Sequence, residues 1–127
     1  MARAAASILV VDDDPAILDI ITQVLVAEGY RARGYRTARD ALAAVRQAPP
    51  ELILLDLWMP EMDGWEFRRR QLMLASARHV PVVLLSAGGR LDEHHRALGA
   101  AASIAKPFDL GDLLATVATV LGRDRPA

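Results

Sequence analysis

Three short runs constrain this chain more than anything else in it: SILVV (7–11), LILL (52–55) and VPVVLL (80–85). Each is apolar at nearly every consecutive position, where a half-exposed strand would alternate. Each therefore predicts a strand covered on both faces. The stretches between them carry helical spacing. Asp14 and Pro15 mark a helix start, with Asp14 as N-cap and Pro15 in the first turn, where a missing N–H costs nothing. Ile17, Ile20, Ile21, Val24 and Leu25 follow at helical spacing, with Leu18 borderline and Val26 off the stripe, and Gly29 stops the helix. RARGY (31–35) reads as a polar-flecked strand suited to a sheet edge. Thr37 caps a second helix carrying Ala41, Leu42 and Val45 and closed by Pro49–Pro50. Gly64 to about Ser76 forms a third helix, with Trp65, Phe67 and Leu72 as its larger apolar residues. Residues 90–98 form a short fourth helix, stopped by Gly99, and AASIA (101–105) a weak fifth strand. Leu110, Leu113, Leu114, Val117 and Leu121 mark a last helix.

Five such units predict an α/β fold: a parallel sheet with right-handed crossovers and helices on both faces. The 127 residues suffice for one domain, with a core at about 7–121 and a loose tail, 122–127. A net charge of −1 sets up no field for nucleic acid or an anionic membrane. No apolar segment approaches the ~20 residues of a membrane span. The opening MARAAASILVV resembles a signal peptide in composition, but DDD follows at once, so its apolar run is assigned to the first strand. With no cysteine, thiol and disulfide chemistry are excluded, and a reducing compartment, the cytoplasm, is compatible.

In such sheets ligands gather beyond the carboxyl ends of the strands. Asp12, Asp13 and Asp14 follow the first strand, Asp56 the third, Ser86 the fourth and Lys106 the fifth. Two carboxylates ~5 Å apart repel by about 3 kcal/mol at an effective dielectric of ~20, so one holds a proton or a cation lies between them. Lys106 neutralises one charge; the surplus and the all-oxygen donor set suit Mg²⁺, Mn²⁺ or Ca²⁺. An ammonium and a hydroxyl suit the oxygens of a phosphoryl group, and a carboxylate can itself become an aspartyl-phosphate. Arg68–Arg69–Arg70 reads as a solvated helix face, His94–His95 as exposed polar surface, and Trp58 and Trp65 as packing residues, with Trp58, two residues past Asp56, also able to border the site.

With these residues in place, the chain resembles the receiver domain of two-component response regulators over residues 7 to 121. The carriers are ILVVDDDPAI, LILLDLWMPEMDG, VPVVLLSA, LGA and KPF, in that order. The resemblance implies a flavodoxin-like, three-layer αβα fold with strand order 2-1-3-4-5 and five helices. It implies Asp56 as phosphoacceptor, with Asp12, Asp13, Asp56 and the backbone carbonyl of Trp58 as ligands of Mg²⁺ or Mn²⁺. Ser86 and Lys106 then bind the phosphoryl group, and Lys106–Pro107 is a cis peptide. The partners implied are a histidine kinase or histidine phosphotransfer protein and a downstream protein target, with slow autodephosphorylation and no catalysis beyond the domain's own phosphotransfer. A stand-alone, chemotaxis-regulator-like domain is expected, cytoplasmic, monomeric or weakly dimeric, with no attached output domain and no binding to nucleic acid or insertion into membrane.

Two features depart from the family. Ser103 stands where an aromatic residue is usual, which places the common aromatic switch in question. The charged residues that pair across the common receiver dimer are sparse in AASIA and the last helix. Two rival readings come from other classes. In a haloacid-dehalogenase-like phosphatase, Asp12 is the nucleophile and Asp14 the acid/base, which leaves Asp56 idle. In a phosphorylation-independent interaction module, the acidic site has no role. A flavin-binding relative would need a neutral phosphate loop after the first strand, and three aspartates oppose that.

Overall fold

The computed structural model describes residues 5–122. The element order is β1 (Ser7–Val11), α1 (Pro15–Ala27), β2 (Arg31–Tyr35), α2 (Ala38–Gln47), β3 (Leu52–Asp56), α3 (Gly64–Leu72), β4 (Val82–Ser86), α4 (Leu91–Leu98), β5 (Ala102–Ala105) and α5 (Leu110–Val120). All pairings are parallel, in the order β2-β1-β3-β4-β5. This is the doubly wound α/β architecture read from the strand–helix alternation. The tail assigned as loose lies, beyond Gly122, outside the described residues.

The alternation of side chains along each strand divides the core in two. Ile8, Val10, Leu52, Leu54, Val83 and Leu85 face α1 and α5. Leu9, Val11, Ile53, Leu55, Val82 and Leu84 face α2, α3 and α4. β3 is central and buried at all five positions, as its unbroken apolar run requires. Asp14 caps α1, accepting from the N–H groups of Ala16 and Ile17 at 2.9 and 3.4 Å.

Several sequence expectations are corrected. On α1 the buried residues are Leu18, Ile21 and Leu25, while Ile20 is 49% exposed. The stripe is rotated because Gly34 on the edge strand makes room for Leu18; a Cβ there would lie 2.9 Å from Leu18 Cγ. Helix α3 ends at Leu72, not near Ser76, and Leu72 is exposed. The Gln71 side-chain amide donates to the carbonyls of Ala77 and Val80, both at 3.0 Å, and so ties the following turn back toward β4. Arg68 is not part of a solvated face. It is buried, and its guanidinium donates to the carbonyls of Leu98 and Gly99 at 3.0 and 3.2 Å and to Gln71 Oε1 at 2.8 Å. A cation is favoured there because the carbonyls at a helix C-terminus carry partial negative charge. Burial nonetheless holds its pKa below the ordinary arginine value.

Candidate functional site

The strands end in step, so their following residues converge. Val11 pairs with Leu55, Asp56 with Leu85 and Ser86 with Ala105. Asp12 therefore lies beside Asp56, and Lys106 leaves β5 beside Ser86. Each side chain is held by its own short loop. Asp12 is fully buried; its Oδ1 accepts from the N–H of Asp14 at 2.9 Å and its Oδ2 from Lys106 Nζ at 2.7 Å. Asp56, the last residue of β3, is 4% exposed. Its Oδ1 accepts from the N–H of Trp58 at 3.3 Å, and its Oδ2 lies 3.5 Å from Lys106 Nζ. The Asp13 side chain, partly exposed, makes no hydrogen bond among the described residues. Ser86 is buried, and its Oγ accepts from the N–H of Gly88 at 3.1 Å. The Lys106–Pro107 peptide is cis.

Gly64 permits the loop after Asp56 to fold this tightly. A Cβ at that position would lie 2.7 Å from the Asp56 carbonyl oxygen and 2.8 Å from Leu57 Cα. Any larger residue would push the start of α3 away from the site.

The charges explain one another. Burial raises the pKa of Asp56 from 3.8 to about 6; the neighbouring Asp12 charge adds to this, and Lys106 and the Trp58 N–H oppose it. Burial works against the Lys106 ammonium, but its hydrogen bond to Asp12 and the charges of Asp56 and Asp12 outweigh it and hold the pKa above the ordinary lysine value. Three carboxylates, of Asp12, Asp13 and Asp56, offer oxygens that all lie within 4.8 Å of one another. That is close to the span across one octahedral cation, roughly 4.2 Å with Mg²⁺–oxygen bonds of about 2.1 Å. One ammonium cannot balance three carboxylates, so the donor set fits a hard divalent cation in both chemistry and charge.

A response regulator receiver domain model matches residues 8–118. The chain belongs to the receiver domain family of two-component response regulators. It is a signalling phosphoacceptor domain of a family that works with histidine kinases or phosphotransfer proteins and binds Mg²⁺ in an acidic pocket. This receiver domain is 38% identical over 126 residues to the DNA-binding response regulator MtrA of Mycolicibacterium smegmatis, covering 94% of the chain and 53% of that protein. It thus spans about half the length of such curated relatives. Sporulation initiation phosphotransferase F of Bacillus subtilis is 34% identical over 108 residues, covering 84% of this chain and 86% of that one. The crystallised chemotaxis response regulator CheY4 of Vibrio cholerae superposes with a TM-score of 0.86 at 29% identity, covering 92% and 99%.

Asp12, Asp13, Asp56 and Lys106, expected from the sequence to share a site, are brought together, with Ser86 and Trp58 at its border. The packing role read for Trp58 and the exposed surface read for His94 and His95 are corrected. Trp58 is no core residue: it is 51% exposed and lies over Gly88, where a Cβ would come within 2.7 Å of its Nε1. His94 is not free surface either; its imidazole touches both Trp58 and Trp65. His95, beside it, has Nδ1 3.1 Å from Ser103 Oγ. No local pattern signals these contacts, because each joins two separate elements or loops. Among the described residues, no helix is long and apolar enough to cross a membrane.

Proposed function

We propose that Asp56 is the phosphoacceptor of this receiver domain, and that Asp12, Asp13, Asp56 and the Trp58 carbonyl hold Mg²⁺ or Mn²⁺ beside it. The observation that carries the reading is Lys106 Nζ, bonded to Asp12 at 2.7 Å and facing Asp56 at 3.5 Å. That ammonium leaves Asp56 charged but lightly engaged. A carboxylate with a pKa near 6 is ionised at neutral pH and is a better nucleophile than one held by a strong ion pair. An Asp56 oxygen attacks the phosphorus of a phosphohistidine. The P–N bond breaks, its electron pair stays on the imidazole, and an acyl phosphate forms. Lys106 and the Ser86 hydroxyl are placed to bind the phosphoryl oxygens, and the bound cation supplies further charge neutralisation. Slow attack by water then returns the carboxylate and inorganic phosphate, which is the only turnover we assign to the domain.

The same geometry opposes the phosphatase alternative. Asp12 is buried and spends both oxygens on the Asp14 N–H and Lys106, and Asp14 is occupied as the α1 cap. For the phosphoryl donor, the structure offers an apolar groove of about 500 Å³ beside the site, lined by Ile17, Ile20, Ala87, Phe108 and Leu110. Ile20 and Val26 also stand exposed on α1. We assign the kinase or phosphotransfer protein to this face, in the cytoplasm, and a separate protein target to the signalling output.

The test is incubation with acetyl phosphate and Mg²⁺, read by intact mass. The wild-type chain should gain one acid-labile phosphoryl group and Asp56→Asn none. Undiminished labelling of Asp56→Asn would move the nucleophile to Asp12 and overturn the assignment.

A further inference from the structure

The loop after Asp56 meets the start of α4 through three rings. The Trp58 indole stands edge-on to the His94 imidazole, centroids 5.8 Å apart and planes at 79°. The Trp65 indole meets the same imidazole at 5.0 Å and 82°. Edge-to-face contact at this spacing is the favoured arrangement for such rings. His94 thus links the two indoles. Trp65, packed against the core, touches the imidazole, and the imidazole in turn touches Trp58. Beyond Trp58 lies Gly88, whose missing side chain leaves the space the indole fills.

Although its ring is half exposed, the backbone of Trp58 sits inside the site. Its N–H donates to Asp56 Oδ1, and its carbonyl belongs to the cation site assigned above. We propose that His94 is a positioning residue for that site: by holding the Trp58 indole against Gly88, it fixes the turn at residues 56–58 in the form that receives the cation, and so couples α4 to occupancy of the site. The inference rests on the reading of the site under Proposed function.

A turn fixed beforehand loses no freedom on binding, whereas a loose one must be ordered at the expense of affinity. The coupling runs both ways. A protein target that draws α4 and His94 away from Trp58 weakens the site, and occupancy of the site biases α4 by the same factor. The arrangement also suits the absence of an aromatic residue on β5. Ser103 there meets His95 through its hydroxyl, so the ring contacts that link the site to α4 lie on the α3 side instead.

The experiment is a Mg²⁺ titration of the full chain by calorimetry and tryptophan fluorescence. It compares wild type, His94→Ala, His94→Phe, Trp58→Leu and the His94→Ala/Trp58→Leu pair. His94→Ala should weaken Mg²⁺ binding about three- to tenfold, the range expected from losing one or two ring contacts. His94→Phe should restore most of the affinity. In the Trp58→Leu background, which keeps the backbone carbonyl, His94→Ala should have no further effect. Gly88→Ala, which displaces the indole from the opposite side, should reproduce the loss without touching α4. In metal-free protein, the Gly88 amide proton should lose its ring-current shift in His94→Ala. Equal affinity of wild type and His94→Ala, or an undiminished loss in the Trp58→Leu background, overturns the inference and leaves the site intact. A wild-type chain that binds neither Mg²⁺ nor beryllofluoride overturns the reading of the site itself, and the inference with it.

Discussion

The two faces of the sheet are held by different forces. On the α1–α5 face, aliphatic residues meet aliphatic residues: Val10, Leu54 and Leu85 against Leu18, Ile21, Leu113 and Val117. On the other face, Phe67 and Val45 supply a similar core, but the seam between α3 and α4 adds buried Arg68 and Gln71 and the His94 ring contacts, and α4 is tied to β5 by His95 and Ser103. Apolar burial is non-directional and scales with area. Hydrogen bonds and ring edges demand defined partners and directions, so a helix held by them rests in discrete positions. The difference teaches that α4 is held by contacts that need particular partners and directions, while α1 and α5 are held by buried apolar area.

Three changes break or sharpen this contrast. The largest effect should come from the apolar face. Ile21 is fully buried, and Ile21→Ala should cost about 2–5 kcal/mol in a denaturant titration, through lost burial and a residual cavity. A cost below about 1 kcal/mol would mean that buried apolar area does not hold this face.

The second change tests the sheet edge where the faces meet. Because the pKa of Asp56 is raised from 3.8 to about 6, the folded chain keeps a proton that the unfolded chain releases as pH rises through that window. Below about pH 4 the group is nearly neutral with respect to stability; above about pH 6 it destabilises the metal-free domain, by at most roughly 3 kcal/mol. Asp56→Asn should therefore stabilise the metal-free protein by up to roughly that amount at pH 7 and by almost nothing at pH 4. Mg²⁺ should remove the pH dependence of wild type. Equal unfolding midpoints for the two proteins at pH 7 without metal would show that the acidic cluster is already balanced.

The third change loosens the polar seam. Arg68→Met keeps the length of the side chain but leaves the carbonyls of Leu98 and Gly99 without their donor. The relief of removing a buried charge offsets part of that cost, leaving a net loss of about 1–3 kcal/mol. Hydrogen exchange should locate it: amides of residues 91–99 should exchange faster while α1 is unchanged. If α1 and α4 accelerate together, the seam is no separate unit and the contrast fails.

The strands and the charged site were legible because both depend on local rules. SILVV and LILL had to be doubly covered strands, and a parallel sheet had to bring the residues after them to one edge; thus Asp12, Asp56, Ser86 and Lys106 could be named before any contact was seen. The β4–β5 register, Ser86 beside Ala105, which sets Lys106 within reach of both Asp12 and Asp56, came only with the structure. What the sequence alone determined, then, is the order of elements and the acidic edge, because periodicity and strand ends act over a few neighbouring residues.

Only the tertiary structure decided the rest. Arg68 in a run of three arginines looks solvated until the carbonyls at the end of α4 arrive to receive it. Leu18 joins the core and Ile20 leaves it because Gly34, on the strand that follows, opens space beneath the helix. His94 looks like surface until Trp58 and Trp65, from a loop and a helix before it, meet its ring. In each case the partner is remote in the chain and the contact is specific to one geometry, so no window of sequence contains the information.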